Sequence, residues 1–295
     1  LRQREDLEVI GVSRHPLDYN GSRLTLNPYL WSVRTCDLMD KEQVRKITED
    51  VDIVIHAAAV SAGAKYIVND PGFLLDNTIL NTNILEAAHK NGVKHFIFLS
   101  CSVLYPMDLG RPVTEDDVDY NRIHPKYFAG AWVKIYGEKL CEFYSKLGHT
   151  RFTVIRHSNV YGPYDKFDLD RSHVLGATIK KVMDAPPSGD IEVWGDGQGR
   201  RDFLYIGDLM RFIELTFDNG LAYEVFNLGS GIVYSTLELT KMVIRLSGKK
   251  LGRVRFDYNK PSIGGIFLMM NFGKAHDRLG WIPFVSLEEG IGQTI

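Results

Sequence analysis

The chain has 295 residues, and its 35 Lys and Arg against 37 Asp and Glu give a formal charge of −2. This near balance gives no electrostatic argument for a nucleic-acid partner or an anionic membrane. The longest apolar runs, such as Phe96–Leu99, fall far short of the ~20 residues that a membrane span needs. The composition therefore predicts a soluble globular protein with neither partner.

The cysteines and histidines argue against disulfides and metals. Cys36, Cys101 and Cys141 form no CxxC pair, so neither a disulfide framework nor a zinc ribbon is predicted. The nine histidines are scattered without metal-ligand spacing, and we expect no metal site. Unpaired thiols favour a reducing, cytoplasmic location.

In chain order, the first half alternates short apolar strands with amphipathic helices. The pattern predicts strands at Leu7–Ser13, Val51–His56, Lys94–Ser100 and Phe152–Ile155, and helices at Lys41–Asp50, Asp76–Asn91 and Lys126–Leu147. Strands separated by helices of this length form βαβ units with right-handed crossovers. The predicted fold class is α/β, a doubly wound parallel sheet of the Rossmann type.

Beyond Tyr161 the alternation becomes less regular. Strands are predicted at Ile191–Trp194, Asp202–Tyr205 and Tyr223–Asn227, and helices at His173–Met183, Leu209–Phe217, Thr236–Leu246 and Leu287–Ile295. We therefore expect a Rossmann-like domain over residues 1–160. Residues 161–295 are expected to form mainly a smaller C-terminal substrate lobe, with some segments returning to the main sheet.

The residues directly after the predicted strands are the candidates for a site, because open parallel sheets bind ligands at the carboxyl ends of their strands. These segments are His56-Ala-Ala-Ala-Val60, Ser100-Cys-Ser-Val-Leu-Tyr-Pro106 and Arg156-His-Ser-Asn-Val-Tyr-Gly-Pro163. Their small residues let a flat ring approach the backbone, and their hydroxyl, thiol and amide groups give directional contacts. This composition suits a cofactor and a polar substrate.

These segments, with Asn83-Ile-Leu-Glu-Ala-Ala88, Val193-Trp-Gly195, Arg201-Asp202 and Asn227-Leu-Gly-Ser-Gly231, occur in a familiar order and spacing. With them the sequence resembles the extended short-chain dehydrogenase/reductase family, the NAD-dependent epimerases and dehydratases. Within that family it is similar to the GDP-L-fucose synthase-like enzymes of nucleotide sugars. The resemblance implies an NADP-dependent oxidoreductase or epimerase acting at C4 of a nucleotide-activated sugar, and a homodimer through the two long helices.

The family's first strand and glycine-rich phosphate turn have no counterpart. Gly195-Asp-Gly-Gln-Gly199 is followed by Arg200 and precedes a strand, so we interpret it as an ordinary turn. We interpret the chain as a fragment that lacks roughly 25–30 residues at its front, one strand, one turn and one helix. It is therefore expected to have a damaged dinucleotide site.

The resemblance implies a Tyr and a Lys one helical turn apart as the proton-transfer pair. Lys134 matches the Lys, but Gly130 occupies the Tyr position, and none of the 14 tyrosines has a Lys four residues later. Tyr127 lies near the same helix face but roughly 10 Å from Lys134 along the axis, so direct pairing requires a local distortion. His124 is a second candidate donor.

Other family residues are also replaced. Cys101 occupies the position of a family Ser that contacts the reacting oxygen, and Val103 that of the epimerase Cys. If the strand continues, residues 101 and 103 share a face ~6.6 Å apart and Ser102 faces away. His173 matches the epimerase His, while Lys181 replaces the family's Arg and keeps its charge without the fork geometry. The candidate catalytic residues are Lys134, Cys101, Ser102, Tyr127 and His173.

Cofactor and substrate contacts follow from the same resemblance. Arg14, directly after a strand, favours NADP because an Arg accommodates a 2′-phosphate, with NAD as the alternative. The expected cofactor contacts are Arg14, Asp37, Leu38, Ala57, Ala58, Ala59, Asn77, Lys134, Asn159 and Val160. The expected contacts to the nucleotide sugar are Asn159, His173, Lys181, Trp194 and Arg201.

Two other functions stay open at this stage. One is a C4 epimerase of a UDP-sugar that retains bound NAD. The other is a catalytically impaired homologue that binds nucleotide sugars, and Gly130 is the residue that motivates it.

Overall fold

Strands and helices alternate along the chain, which confirms the predicted α/β class. The computed structural model describes residues 6–14, 32–61, 71–169, 171–260 and 266–295. The strands are β1 (Ile10–Ser13), β2 (Ser32–Thr35), β3 (Ile53–His56), β4 (His95–Leu99), β5 (Arg151–His157), β6 (Asn159–Tyr161), β7 (Ile191–Trp194), β8 (Arg200–Tyr205), β9 (Tyr223–Leu228), β10 (Val233–Ser235), β11 (Val254–Asp257) and β12 (Phe267–Leu268).

The helices begin and end close to the predicted positions. They are α1 (Lys41–Ile47), α2 (Asp76–Lys90), α3 (Phe128–Ser145), α4 (Val174–Asp184), α5 (Ile206–Phe217), α6 (Thr236–Ser247), α7 (Gly273–Leu279) and α8 (Leu287–Thr294). The sequence analysis missed β2, the short strands β6, β10, β11 and β12 and the helix α7. Apart from α7, these elements have only two to four residues, too few to show a period.

The main sheet is parallel, in the order β3-β4-β5-β9. Parallel neighbours need crossover connections, and here helices cover both faces of the sheet. On one face Ile84 and Leu85 of α2 and Cys141 of α3 pack with Phe96 and Phe98 of β4. On the other face, helix α5 contributes a second apolar cluster. Strands β1 and β2 form a separate parallel pair.

The second half builds a smaller layer around β8. Strands β10, β12 and β6 all pair with β8, and β7 pairs with β11. Helices α4 and α6 pack over this layer through an apolar cluster of their own. Strand β9 belongs to the main sheet although it follows this layer in sequence. The carboxyl ends of the strands of the main sheet therefore face residues from the second half of the chain.

One strand ends earlier than predicted. Strand β4 stops at Leu99, and Ser102–Leu104 form a 3-10 turn. The expectation that Cys101 and Val103 share a strand face is therefore wrong, because no pleat extends to these residues. The Ser100 hydroxyl instead donates 2.5 Å to Glu138 of α3, which holds the chain as it leaves the sheet.

A buried polar network joins four of these elements. The Arg156 guanidinium of β5 pairs with Glu138 of α3 at 2.7 Å, and both side chains are at least nine-tenths buried. Arg156 also donates to the Tyr105 hydroxyl at 2.9 Å, which donates to Asn227 of β9 at 2.6 Å. Buried ions are tolerated when they are paired and hydrogen-bonded in this way. The network therefore fastens β4, α3, β5 and β9 just behind the ends of the strands.

Two glycines of α3 give a matched test of the packing between helix and sheet. A Cβ on Gly137 would lie 2.4 Å from Phe98 Cζ, whereas a Cβ on Gly130 would meet only Leu74 Cδ1, at 3.8 Å. We expect Gly137→Ala to lower the free energy of unfolding by about 1–3 kcal/mol through overpacking. We expect Gly130→Ala to be neutral or slightly stabilising, because Ala is the better helix former. Urea unfolding of both variants measures the difference, and equal stabilities would contradict this packing.

Candidate functional site

A cavity of about 650 Å³ opens where the main sheet meets the second half of the chain. Its walls come from the segments after β3, β4 and β5, from α3 and α4, and from β7 and β8. Many of the residues selected from the sequence line it: Ala57, Ala59, Asn77, Cys101, Ser102, Tyr127, Lys134, Asn159, Val160, His173, Lys181, Trp194 and Arg201. Arg14, Asp37, Leu38 and Ala58 are not among the lining residues.

Lys134 is held at the base of the cavity by the sheet. Its ammonium donates 2.6 Å to the Leu99 carbonyl at the end of β4, and it lies 5.2 Å from the centre of the Phe98 ring. Burial lowers the pKa of Lys134, while the neighbouring Cys101 and Glu138 oppose that shift. An ammonium has three donors, so two remain for a ligand or water after the bond to Leu99.

Tyr127 has an arginine beside its phenol. It lies in a 3-10 turn directly before α3, and the guanidinium of Arg201, from β8, approaches it across the cavity. Burial raises the pKa of the Tyr127 hydroxyl, while the charge and hydrogen bonding of Arg201 oppose the rise. His124 accepts a 3.3 Å bond from the Lys126 amide and is not among the cavity-lining residues.

Cys101 lines the same cavity as Lys134 and Tyr127. Its thiol interacts electrostatically with Lys134 and with Tyr127. Burial raises the pKa of Cys101, with Lys134 opposing, so the thiol is the favoured form at neutral pH. Ser102 also lines the cavity and is 6% exposed, which differs from the outward orientation expected for a continuing strand.

His173 stands at the N-terminus of α4 and lines the cavity. Burial lowers the pKa of its imidazole, Asp165 opposes that shift and Lys166 reinforces it. The Lys166 ammonium donates to the Ser61 hydroxyl at 3.3 Å, so the loop after β6 reaches the segment after β3. This contact joins the two halves of the chain at the rim of the cavity.

A cluster of charges surrounds Trp194 at the outer part of the cavity. The ammonium groups of Lys181 and Lys260 lie 5.0 and 5.9 Å from the centre of the indole ring. The indole NH donates 2.7 Å to Glu192, and Lys181 donates to the Glu192 carbonyl at 3.0 Å. Lys260 was not selected from the sequence, because it lies 66 residues after Trp194 and no local motif connects them.

The residues expected on the adenine side form an ordered turn after β2. The Asp37 carboxylate accepts from the Met39 amide at 3.0 Å, and Asn83 of α2 donates to the Leu38 carbonyl at 2.9 Å. Arg14 follows β1 and is exposed. Asn77 donates to the Val60 carbonyl and accepts from the Val60 amide, so its amide supports the loop after β3.

Two residues at the end of β5 lay in a candidate segment of the sequence but were given no individual role there. His157 and Ser158 both line the cavity, and the Ser158 hydroxyl is buried with no hydrogen-bond partner in the described part of the chain. Their position directly after an apolar strand was the available signal. The His157 imidazole has its pKa lowered to about 4, chiefly by burial.

These features fit a nicotinamide cofactor. The cavity is lined mostly by apolar atoms with a few convergent polar groups, the usual character of cofactor sites. Lys134 offers hydrogen-bond donors to a ribose, and the unpartnered Ser158 hydroxyl leaves a polar group for a ligand to satisfy. The small side chains of Ala57 and Ala59 leave room for a flat ring along the end of β3.

Comparison with known proteins agrees with this geometry. A family model described as the NAD dependent epimerase/dehydratase family matches residues 1–229. The chain belongs to this family. Family members with similar sequences include GDP-L-colitose synthase of Yersinia pseudotuberculosis, 32% identical over 89% of this chain and 87% of that protein. GDP-L-fucose synthase of Sinorhizobium fredii is 34% identical over 98% of this chain and 87% of that protein.

A solved structure of the same fold is UDP-glucose 4-epimerase of Thermotoga maritima with UDP-glucose. It matches with a TM-score of 0.81 and 27% identity, covering 97% of this chain and 89% of the other. Within the described ranges, no group of three or more His, Cys, Asp or Glu side chains is placed to hold a metal ion. No helix in those ranges combines the length and apolar character needed to cross a membrane.

Proposed function

We propose that the chain is an NADP-dependent oxidoreductase or epimerase acting at C4 of a nucleotide-activated sugar, with Tyr127 as its proton donor. The observation that carries this proposal is the Arg201 guanidinium beside the partly buried Tyr127 phenol, in the cavity that Lys134 also lines. The similarity to GDP-L-colitose and GDP-L-fucose synthases supports the substrate class.

Tyr127 and Arg201 together have the properties of a general acid. Burial raises the pKa of the phenol, so it carries its proton before the reaction. When the phenol donates that proton to a sugar oxygen, the guanidinium stabilises the phenolate that remains. Arg201 thereby takes the electrostatic role that a lysine one helical turn away has in the family.

Lys134 and Asn159 orient ligands in this proposal. The Lys134 ammonium, fixed by Leu99, offers its remaining donors to a ribose hydroxyl, and a bound nicotinamide supplies or accepts the hydride. The Asn159 amide nitrogen donates one of its two hydrogens to the Asp202 carbonyl at 2.9 Å, which leaves its oxygen and its second hydrogen for a ligand. His173 and the Cys101 thiol are the further polar groups near the sugar.

The charges around Trp194 suit the diphosphate of a nucleotide sugar. Lys181 and Lys260 place two ammonium groups at the indole ring, and Arg201 lines the same cavity. Cations at this spacing favour a dianionic group, and guanidinium groups bind phosphate with two hydrogen bonds. Arg201 therefore serves both Tyr127 and the phosphate side.

We assign the cofactor as NADP because of Arg14. This exposed residue directly follows β1, and no acidic residue occupies its place to bind a ribose 2′-hydroxyl. Asp37 and Leu38 lie on the turn after β2, which we assign to the adenine side, and Asn77 supports the loop that carries Ala57, Ala58 and Ala59.

Two further functions have observations in their favour. The similarity to UDP-glucose 4-epimerase favours a C4 epimerase that retains NAD. Gly130, in the position of the family Tyr, favours a homologue that binds nucleotide sugars with impaired turnover.

Turnover assays separate the three functions. We expect the protein with an intact dinucleotide site to oxidise NADPH in the presence of an NDP-4-keto-6-deoxy sugar, and to use NADPH better than NADH. Purified protein that releases NAD on denaturation and interconverts UDP-sugars without added cofactor would support the epimerase. Nucleotide-sugar binding by calorimetry without turnover of any NDP-4-keto sugar would support the impaired homologue and contradict the proposal.

The role of Tyr127 is tested by Tyr127→Phe. Loss of a general acid lowers kcat by roughly 10²–10⁴-fold, and we expect a smaller change in KM because the ring remains. Tyr258→Phe, at a tyrosine that is 73% exposed and does not line the cavity, is the matched control and should retain activity. Unchanged kcat in Tyr127→Phe would rule out this donor. A large gain in kcat for Gly130→Tyr, which has room for a side chain, would instead support the impaired homologue.

We also propose a homodimer through α2 and α3. Three large side chains on α3, at a spacing of four residues, are exposed on its outer face: Phe128 at 60%, Trp132 at 40% and Tyr136 at 40%. Ile79 of α2 is also 47% exposed, and the Tyr136 hydroxyl lies 2.9 Å from Thr82 of α2, so the two helices present one continuous surface. A second copy of the same surface is its expected partner.

Sedimentation velocity tests this assembly. The native chain should sediment as a dimer, and Trp132→Glu should shift it to monomer because a charge would be buried in the contact. Leu221→Glu, at a residue that is 58% exposed in the loop between α5 and β9, is the control and should stay dimeric. A native monomer at micromolar concentration would contradict the proposal.

A further inference from the structure

His157, the last residue of β5, has its ring orientation fixed by the backbone. Its Nδ1 lies 2.7 Å from the carbonyl oxygen of Ser158. A carbonyl can only accept a hydrogen bond, so Nδ1 carries the hydrogen. The Ser158 amide in turn donates 2.8 Å to the Leu228 carbonyl of β9, which ties this turn to the neighbouring strand.

The other ring nitrogen is consequently an acceptor. Burial lowers the pKa of His157 to about 4, with Lys134 and His173 as the nearby cationic groups that reinforce the shift. The imidazole is therefore neutral at pH 7, and its hydrogen is already on Nδ1, so Nε2 carries a lone pair. No residue in the described ranges forms a hydrogen bond to Nε2.

The surroundings of His157 require a ligand with a donor. The residue lines the cavity together with Lys134 and His173, whose groups offer hydrogens when they are charged. The adjacent Ser158 hydroxyl is buried and also lacks a partner among the described residues. Buried polar groups are normally satisfied, so the Ser158 hydroxyl indicates that a polar ligand completes the site at this strand end, where the Nε2 of the adjacent His157 is left as an acceptor.

We infer that His157 is a positioning residue whose Nε2 accepts a hydrogen bond from an N–H or O–H group of the ligand that binds beside Lys134. This inference rests on the proposed function and deepens it, because it adds an acceptor to a cavity whose other assigned residues are mainly donors. Two ligand groups have the required chemistry. One is the carboxamide NH2 of a nicotinamide, and the other is a hydroxyl of the sugar.

Nitrogen-15 NMR of the histidine-labelled chain at pH 7 tests the inference without turnover. The signals of His157 are assigned as those that disappear in His157→Gln. In the native chain they should show a protonated Nδ1 and an unprotonated Nε2. Addition of a ligand that donates to Nε2 should shift the Nε2 resonance upfield and leave the exposed His276 unchanged. The ligands are NADP+, its 3-acetylpyridine analogue, which has a methyl group in place of the amide NH2, UDP-glucose and GDP-mannose.

The ligands distinguish the two sources. A shift with NADP+ but not with the acetylpyridine analogue identifies the carboxamide, and a shift with a nucleotide sugar identifies a hydroxyl. His157→Leu should then weaken binding of that ligand roughly 3- to 10-fold, while His157→Gln, which keeps an acceptor oxygen, should restore most of it. His276→Leu is the control for a general effect of losing a histidine.

Three results would overturn the inference. The first is a tautomer with its hydrogen on Nε2. The second is an Nε2 resonance that none of the four ligands shifts. The third is that native and His157→Leu protein bind each of the four ligands with equal affinity. If the protein turns over substrate but no ligand shifts the His157 Nε2 resonance, the role of His157 is refuted and the proposed function stands. Absence of both turnover and nucleotide-sugar binding would refute the proposed function as well.

Discussion

The site depends on the buried ion pair between Arg156 and Glu138. Ser100, Glu138 and Arg156 are joined by hydrogen bonds of 2.5 to 3.2 Å behind the strand ends. Each is next to a cavity residue: Ser100 precedes Cys101, Glu138 lies one helical turn after Lys134, and Arg156 precedes His157. Burying these charges is tolerable only while all of them stay paired. The same pairing therefore fixes the relative positions of a thiol, an ammonium and an imidazole from three separate elements.

The proposed acid, Tyr127, depends on a contact between the two halves of the chain. Tyr127 belongs to the Rossmann-like half and Arg201 to the layer around β8, so the charge beside the phenol is present only when the halves are packed together. A Tyr and Lys pair within one helix is set by the helix alone. With Gly130 in the helix, the proposed acid of this chain instead requires the second half to be in place. In the proposed function, this arrangement couples the phosphate-binding side of the cavity to proton transfer.

Helix α3 connects the inner and outer features of the molecule. Its inner face carries Lys134 and Glu138, Gly137 lies against Phe98, and Trp132 is on its outer face. The Phe98 ring contacts His56 as well as Lys134, at 5.9 and 5.2 Å. A displacement of this helix would therefore move residues of the cavity and of the proposed dimer surface together.

The sequence by itself determined the α/β class, the main strands and helices and the approximate place of the site. Hydrophobic period and the position where a strand ends can be read from a single segment of the sequence, whereas Lys134 was selected because it matches the family's lysine. Only the tertiary structure decided that β4 ends at Leu99, that Tyr127 meets Arg201 74 residues away, and that the Lys134 ammonium reaches the Leu99 carbonyl. Each of these depends on a hydrogen bond or charge contact between groups brought together by packing, and the spacing of residues along the chain does not record such contacts.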